Sequence, residues 1–431
     1  MQVSVEQTGA LERRMEVSIP KDRIEKAVHQ RLQQVSRTAR LKGFRPGKAP
    51  LKVIQQQFGA QVRQEVMSDL IQATFAEAVN QQKFVPAVGP QIEPVATGPD
   101  EDVKYRAIFE VFPDVALKSV DGLAVTRPVA EVTEADIDAM VQNLREQKPK
   151  FEAVERASHE TDRVTMDFVG LMGGQPFEGS KGDDVAVLLG GGRMLKPFED
   201  AITGMKAGEQ KQVSVRYPDD YHNKALAGQT AEFDVQMKKV EEKHLPELDD
   251  EFCAEYGVYD GGIEQLRREV ADNMNRELAG NVRARIKQQL LDRLLEANPV
   301  EVPKGLVDSQ VREMQIETAR RMGAKDASQI PPPDAFLEPA RRRVALGILI
   351  GELIKSQGIQ VDRALVESRL ADMAATYPDP EPMLKAYRQS PDAMRQIENL
   401  VLEDQVVDYL LARAKVTDQK TSFKDVMNFG A

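Results

Sequence analysis

Residues 43–50, GFRPGKAP, place Phe44, Arg45 and Lys48 among two glycines and two prolines. Between two helix-like segments, that punctuation predicts a loop. A phenylalanine on a loop tip beside two cations is costly to leave in water, so the stretch points to a bound partner. Groups able to make or break bonds are sparse. The four histidines (His29, His159, His222, His244) lie far apart, and HETDR at 159–163 lacks the second histidine of a zinc-binding HExxH helix. GGGRMLKP at 190–197 has no GK[ST] and predicts no phosphate cradle. No G-x-S-x-G elbow occurs, and Cys253 stands alone, which excludes paired-cysteine metal spacing and a disulfide scaffold. Nothing supports hydrolysis, redox chemistry or nucleotide binding, and no cofactor or metal is expected.

The elements around the loop carry a charge asymmetry. Residues 1–60 hold 12 Lys/Arg against five Asp/Glu, a balance of +7, and the net charge of −11 then leaves −18 on the rest. A basic end on an acidic body predicts an anionic partner met by that end alone. The length of 431 residues predicts two to four domains, and 41% apolar with 29% charged residues is ordinary for a soluble protein. The lone cysteine, an N-terminus without a signal-peptide core and the lack of any long apolar run predict a cytoplasmic protein.

VSVEQTGALERRMEVSIP alternates as a two-stranded hairpin, and Pro20 opens a helix whose Ile24, Ala27, Val28, Leu32 and Val35 share one face. After the loop, the pattern predicts a short helix from Pro50 to Phe58. A longer helix striped by Val62, Val66, Leu70, Phe75 and Val79 follows, with a closing strand over 103–111. Thr133 and Asp136 form a capping box at the head of an amphipathic helix over 130–148. From Arg163 to Val240 come glycine-punctuated β-type runs with one helical interruption, FEDAITGM. Beyond Pro246 the pattern is almost wholly helical, with a long helix over 263–299 and breaks at Pro299, Pro303, Pro331–Pro333 and Pro378–Pro382. Its dispersed apolar residues, Met274, Met314, Met322, Met373, Met383, Met394 and Met427 among them, fit either packing between helices or a soft binding surface.

Within the β-type segment stand DFVGLMGGQPFEG, then VLLGGGRMLKPFEDAITGMKAGE, then YPDDYHNKALAGQTAEFDVQMKKVEE. A strand, a flap with F-x-G, an LG segment opening one helix, a K-x-G-E turn, a tyrosine stretch and a final FDV strand follow in that order. The segment thereby resembles the FKBP-type peptidyl-prolyl isomerases across almost the whole domain. The resemblance implies a site lined by Phe168, Phe177, Met194, Leu195, Phe198, Tyr221 and Phe233. Phe198 stands where the family commonly has tryptophan, and Glu178 where many members have aspartate. Rotation about an X-Pro bond faces about 18–20 kcal/mol because amide resonance is lost at the twist. An apolar, ring-lined site can favour the twisted form by shape, without nucleophile, metal or cofactor.

GFRPGKAP upstream of such a domain, with VTEADIDAMVQNLREQ before it and KVEEKHLPELDDEF after it, resembles the bacterial trigger factor family over essentially the whole chain. That resemblance implies a multidomain α+β architecture. A ribosome-binding α+β domain would span 1–112, and a linker packing with the C-terminal domain 113–149. An FKBP-like, β-rich isomerase domain would span 150–245, and an all-α chaperone domain with arms 246–431. It further implies an ATP-independent chaperone that docks at the exit site of the large ribosomal subunit, against ribosomal protein and rRNA, and holds nascent and unfolded polypeptides. Gly43, Phe44, Arg45, Pro46, Gly47 and Lys48 would make the contacts, Pro46 standing where some members carry a basic residue. No membrane partner is implied, and a homodimer off the ribosome is left open. Two other readings stay open on the residues alone: a free isomerase with flanking dimerisation domains, and a nucleic-acid binder using residues 1–60. The exposed Phe44 speaks against the first, and the −18 on the remainder against the second.

Overall fold

Alternation at the start of the chain builds strands. The computed structural model describes residues 2–39, 41, 44, 50–95, 102–118, 120–221, 223–224, 226–324, 326, 329–374 and 379–427. β1 (Gln2–Gln7) pairs antiparallel with β2 (Glu12–Ile19), whose Met15, Val17 and Ile19 enter the core at every second residue. α1 (Lys21–Thr38) follows, with Ile24 and Leu32 buried. α2 then runs unbroken from Leu51 to Gln82, where the sequence pattern predicted two helices. One glycine costs a helix only about 1 kcal/mol relative to alanine. Ile54, Phe58, Val62 and Val66 carry a four-residue stripe straight past Gly59 onto Leu32 of α1. Burying such side chains is worth about 1.5–3 kcal/mol each, so the stripe wins. β3 (Gln91–Val95) and β4 (Val103–Glu110) complete an antiparallel sheet in the order β1-β2-β4-β3. The pattern predicts β4 but is silent on β3, which is five residues long and carries Pro94, a residue an edge strand tolerates.

Contacts along the chain divide it into two units, residues 1–127 with 284–418 and residues 128–283 with 419–431. β5 (Ala124–Val129) marks the first crossing. In the second unit α3 (Glu134–Gln147) starts at Thr133, whose side chain and that of Asp136 cap each other's amides. β6 (Lys150–Ala153), β7 (Arg163–Met172), β8 (Gln175–Leu188), α4 (Lys196–Ile202), β9 (Gln210–Arg216) and β10 (Thr230–His244) form the β-rich part. α5 (Asp250–Glu255) and the 36-residue α6 (Gly262–Ala297) follow, α6 belonging to this unit as far as Arg283. Ile137 and Val141 of α3 pack with Phe252 of α5 and Leu266 and Val270 of α6.

The first unit also contains α7 (Lys304–Met322), α8 (Asp334–Gln357), α9 (Arg363–Ala374), α10 (Pro380–Gln389), α11 (Pro391–Leu411) and β11 (Lys415–Lys420). Prolines open most of these helices, and Gly323 and Gly358, at φ +62° and +65°, close α7 and α8 in the left-handed conformation. β11 pairs with β5, a strand pair that the helical texture of the region conceals. α12 (Phe423–Met427) packs its Phe423 and Val426 on the α3–α5–α6 cluster. Met274 is buried and Met314, Met394 and Met427 are partly covered, whereas Met322 is 58% exposed, as are Ile316 on α7 and Leu337 on α8 to lesser degrees. Among the described residues no helix is long and apolar enough to cross a membrane.

Candidate active site

The site is built on β10, the strand that pairs with β7 along one edge and with β9 and β6 along the other. Ala231, Phe233, Val235 and Met237 alternate into the core from it, and Phe198 and Ile202 of α4 pack on that face. Phe168 comes from β7 and Phe177 from β8, while Met194 and Leu195 end the loop before α4 and Tyr221 lies in the loop after β9. All seven marked residues belong to one apolar cluster, with Phe198 and Phe233 buried and the other five partly covered.

The rings meet edge to face. Phe198 lies 5.2 Å from Phe233 and 6.0 Å from Phe168 between centroids, and Phe233 lies 6.0 Å from Phe168 and 6.2 Å from Phe177. Edge contacts of this kind are worth about 0.5–1.5 kcal/mol each beyond area burial. Tyr217, which the resemblance did not mark, extends the chain of rings, 6.4 Å from Phe177 and 4.9 Å from Tyr221. Burial, with Tyr221 beside it, pushes the Tyr217 hydroxyl above its ordinary value, so it stays protonated at neutral pH. Its signal in the sequence is the YPDDY repeat of tyrosines, which shows two rings but not which one is covered.

Two glycines let the rings lie flat on the strands opposite. Gly170 pairs across the ladder with Phe233, and Gly182 with Phe168. A Cβ added at Gly170 would meet Phe233 Cε1 at 2.5 Å, and one at Gly182 would meet Phe168 Cε1 at 2.7 Å. Both rings also touch Phe198, which limits how far they can yield. Gly170→Ala and Gly182→Ala are therefore expected to destabilise the domain by about 1–3 kcal/mol, the usual range for overpacking. The 0.5–1 kcal/mol or so that alanine normally gains over glycine in a strand does not offset this. Denaturant unfolding checks the sign; a more stable Gly170→Ala chain would refute the contact.

The bulge that presents Gly182 has its own clamp. Register shifts between Met166 and Phe168, and Asp184 in the bulge sits at φ +52°. The Asp184 amide donates to Asp167 Oδ1 at 2.7 Å, and Lys238 Nζ reaches Asp167 at 2.7 Å and Asp184 at 2.6 Å. The hydrogen bond from Lys238, then the Asp184 amide, holds the Asp167 carboxyl below its usual range. The seven marked residues and Tyr217 themselves carry no carboxylate, imidazole or thiol. Such a surface can act on a peptide only by shape and by its low polarity, which disfavours the charge-separated planar amide.

Of the predicted loop, Phe44 lies among the described residues. It is 41% exposed, and its amide donates to the Leu41 carbonyl at 3.1 Å. Gly43, Arg45, Pro46, Gly47 and Lys48 lie outside the described residues, as does the side chain of Glu178.

Similarity to other proteins spans the whole chain. Residues 1–144 match the family described as bacterial trigger factor protein, residues 262–412 its C-terminus, and residues 154–238 the FKBP-type peptidyl-prolyl cis-trans isomerases. A trigger factor of Ectopseudomonas mendocina is 44% identical over 427 residues, covering 99% of this chain and 98% of that one. One of Idiomarina loihiensis is 44% identical over 430 residues, covering 99% of both. A solved structure from work on promiscuous substrate recognition by the trigger factor chaperone superposes with a TM-score of 0.50 at 18% identity, covering 96% of this chain and 99% of that one. At that identity the superposition speaks for the fold alone.

Proposed function

This chain belongs to the trigger factor family, and from that premise we propose how its parts divide the family's work. It is a chaperone with an FKBP-type peptidyl-prolyl isomerase domain. In our reading the prolyl segment turns over at Phe168, Phe177, Met194, Leu195, Phe198, Tyr221 and Phe233. The single observation that carries this is their assembly into one ring cluster around Phe233. The Gly43–Lys48 loop docks beside the exit of the large ribosomal subunit, its cations on rRNA phosphate or an acidic ribosomal side chain and Phe44 in an apolar notch. The exposure of Phe44 between two packed helices supports this. Nascent and unfolded chains rest on the exposed Ile316, Met322 and Leu337 of the helical region. The same residues make a second copy of the chain a further partner of the free protein, and the cytoplasm is the place of work.

In functional terms residues 1–112 dock, 113–149 link, 150–245 isomerise and 246–431 hold clients. A free isomerase with flanking dimerisation domains is not favoured, because the family matches include both flanks. The test is a photo-crosslinker at position 44 on chains bound to translating ribosomes. Labelling of large-subunit protein or rRNA near the exit is expected; labelling of the small subunit alone refutes the docking role.

A further inference from the structure

Glu199 follows Phe198 on α4 and is only 7% exposed. A carboxylate taken that far from water needs hydrogen-bond donors. It finds them in the glycine loop ahead of its own helix: Oε2 accepts from the Gly190 amide at 3.1 Å and Oε1 from the Met194 amide at 3.4 Å. Three consecutive glycines, Gly190, Gly191 and Gly192, give that loop no side-chain packing of its own. Gly190 and Gly192 take φ +78° and +67°, a turn that side chains resist. The loop ends in Met194 and Leu195, both packed on the ring cluster.

We propose that Glu199 is a positioning residue of the isomerase site: its buried carboxylate staples both ends of the Gly190–Met194 loop and so fixes Met194 and Leu195 against the rings. This rests on the ring cluster being the prolyl site. Hydrogen bonds to an ionised acceptor are about twice as strong as neutral ones. Two of them from one side chain suit a task in which small displacements of a wall loosen its grip on the bound prolyl segment.

Glu199→Gln keeps the shape but turns one acceptor into an amide NH2 facing an N–H. In the full chain, with a proline peptide as substrate, kcat/KM is expected to fall roughly tenfold, chiefly through a higher KM. A purely structural role would lower kcat in proportion to the unfolded fraction and leave KM alone; that result, or unchanged kinetics, overturns the proposal. Amide exchange on the unmodified chain gives a readout independent of how the variant folds. Gly190 and Met194 are expected to exchange about tenfold or more slowly than Gly192 and Arg193, and equal rates overturn the proposal. Phe198→Leu, measured alongside, separates the premises. Full activity in that variant removes the prolyl site itself, whereas loss there with none in Glu199→Gln removes only the role of Glu199.

Discussion

Phe198→Ala lowers kcat/KM for prolyl isomerisation by about a hundredfold or more, equivalent to roughly 2.7 kcal/mol of lost transition-state stabilisation, and leaves suppression of aggregation intact. Phe198 is 4% exposed and touches the rings of both Phe168 and Phe233. Truncating a buried phenylalanine costs about 3–5 kcal/mol of stability. A whole domain commonly holds only about 5–15 kcal/mol, so the variant folds with a reduced margin. Phe198→Leu, which keeps apolar bulk without the ring, separates site from stability: it is expected to fold normally and still isomerise poorly. In the proposed reading clients rest on the exposed Ile316, Met322 and Leu337 of other helices, so holding is expected not to depend on the ring. Proline-limited refolding measures the first activity and light scattering of a denatured client the second. Wild-type isomerisation by a folded Phe198→Leu chain would sink the site.

How much of this was written in the sequence depends on the range of the interaction. α1, α3 and β2 obey local rules, a stripe, a capping box and an alternation, and all three form where predicted. α2 shows the limit of reading punctuation alone. Gly59 looks like a break until Ile54 and Val62 are seen to bury the same face on Leu32, a contact between helices. β5 and β11 are short strands that exist only because a distant partner lies beside them; they are nearly three hundred residues apart in the chain. Periodicity cannot register such a pairing.

The site divides in the same way. The seven marked residues came from family blocks rather than from spacing, and the sheet gathers them from β7, β8, β10, α4 and two loops. What no block suggested is the supporting backbone. Gly170 and Gly182 look like ordinary strand glycines until the register sets Phe233 and Phe168 directly across from them. Tyr217 and Tyr221 differ in role only through burial, which puts Tyr217 at 7% exposed. Glu199 closes the family segment that opens α4, and only the loop folding back on it explains its burial.

Triple replacement of Phe44, Arg45 and Lys48 by alanine is expected to weaken co-sedimentation with translating ribosomes by about a thousandfold. Truncating an aromatic anchor at the centre of an interface typically costs about 2 kcal/mol or more. Two lost charge-assisted contacts add about 1.5–3 kcal/mol each, reduced where they face solvent. The two kinds of contribution separate by salt. Each phosphate neutralised adds a little under one unit to the slope of log affinity against log salt, so the Arg45→Ala, Lys48→Ala pair flattens the slope by up to about two units. Phe44→Ala alone lowers affinity at every salt concentration without changing the slope. Pro46→Arg restores the basic residue that some family members carry there, and steepens the slope by about one unit if that position faces rRNA. The −18 on the remainder of the chain makes the argument sharper. Repulsion between that acidic body and ribosomal phosphate would oppose docking at low salt, so in the proposed reading the +7 of residues 1–60, the loop's cations among them, outweighs it locally. Unchanged sedimentation of the triple variant would move the docking surface away from residues 43–48 altogether.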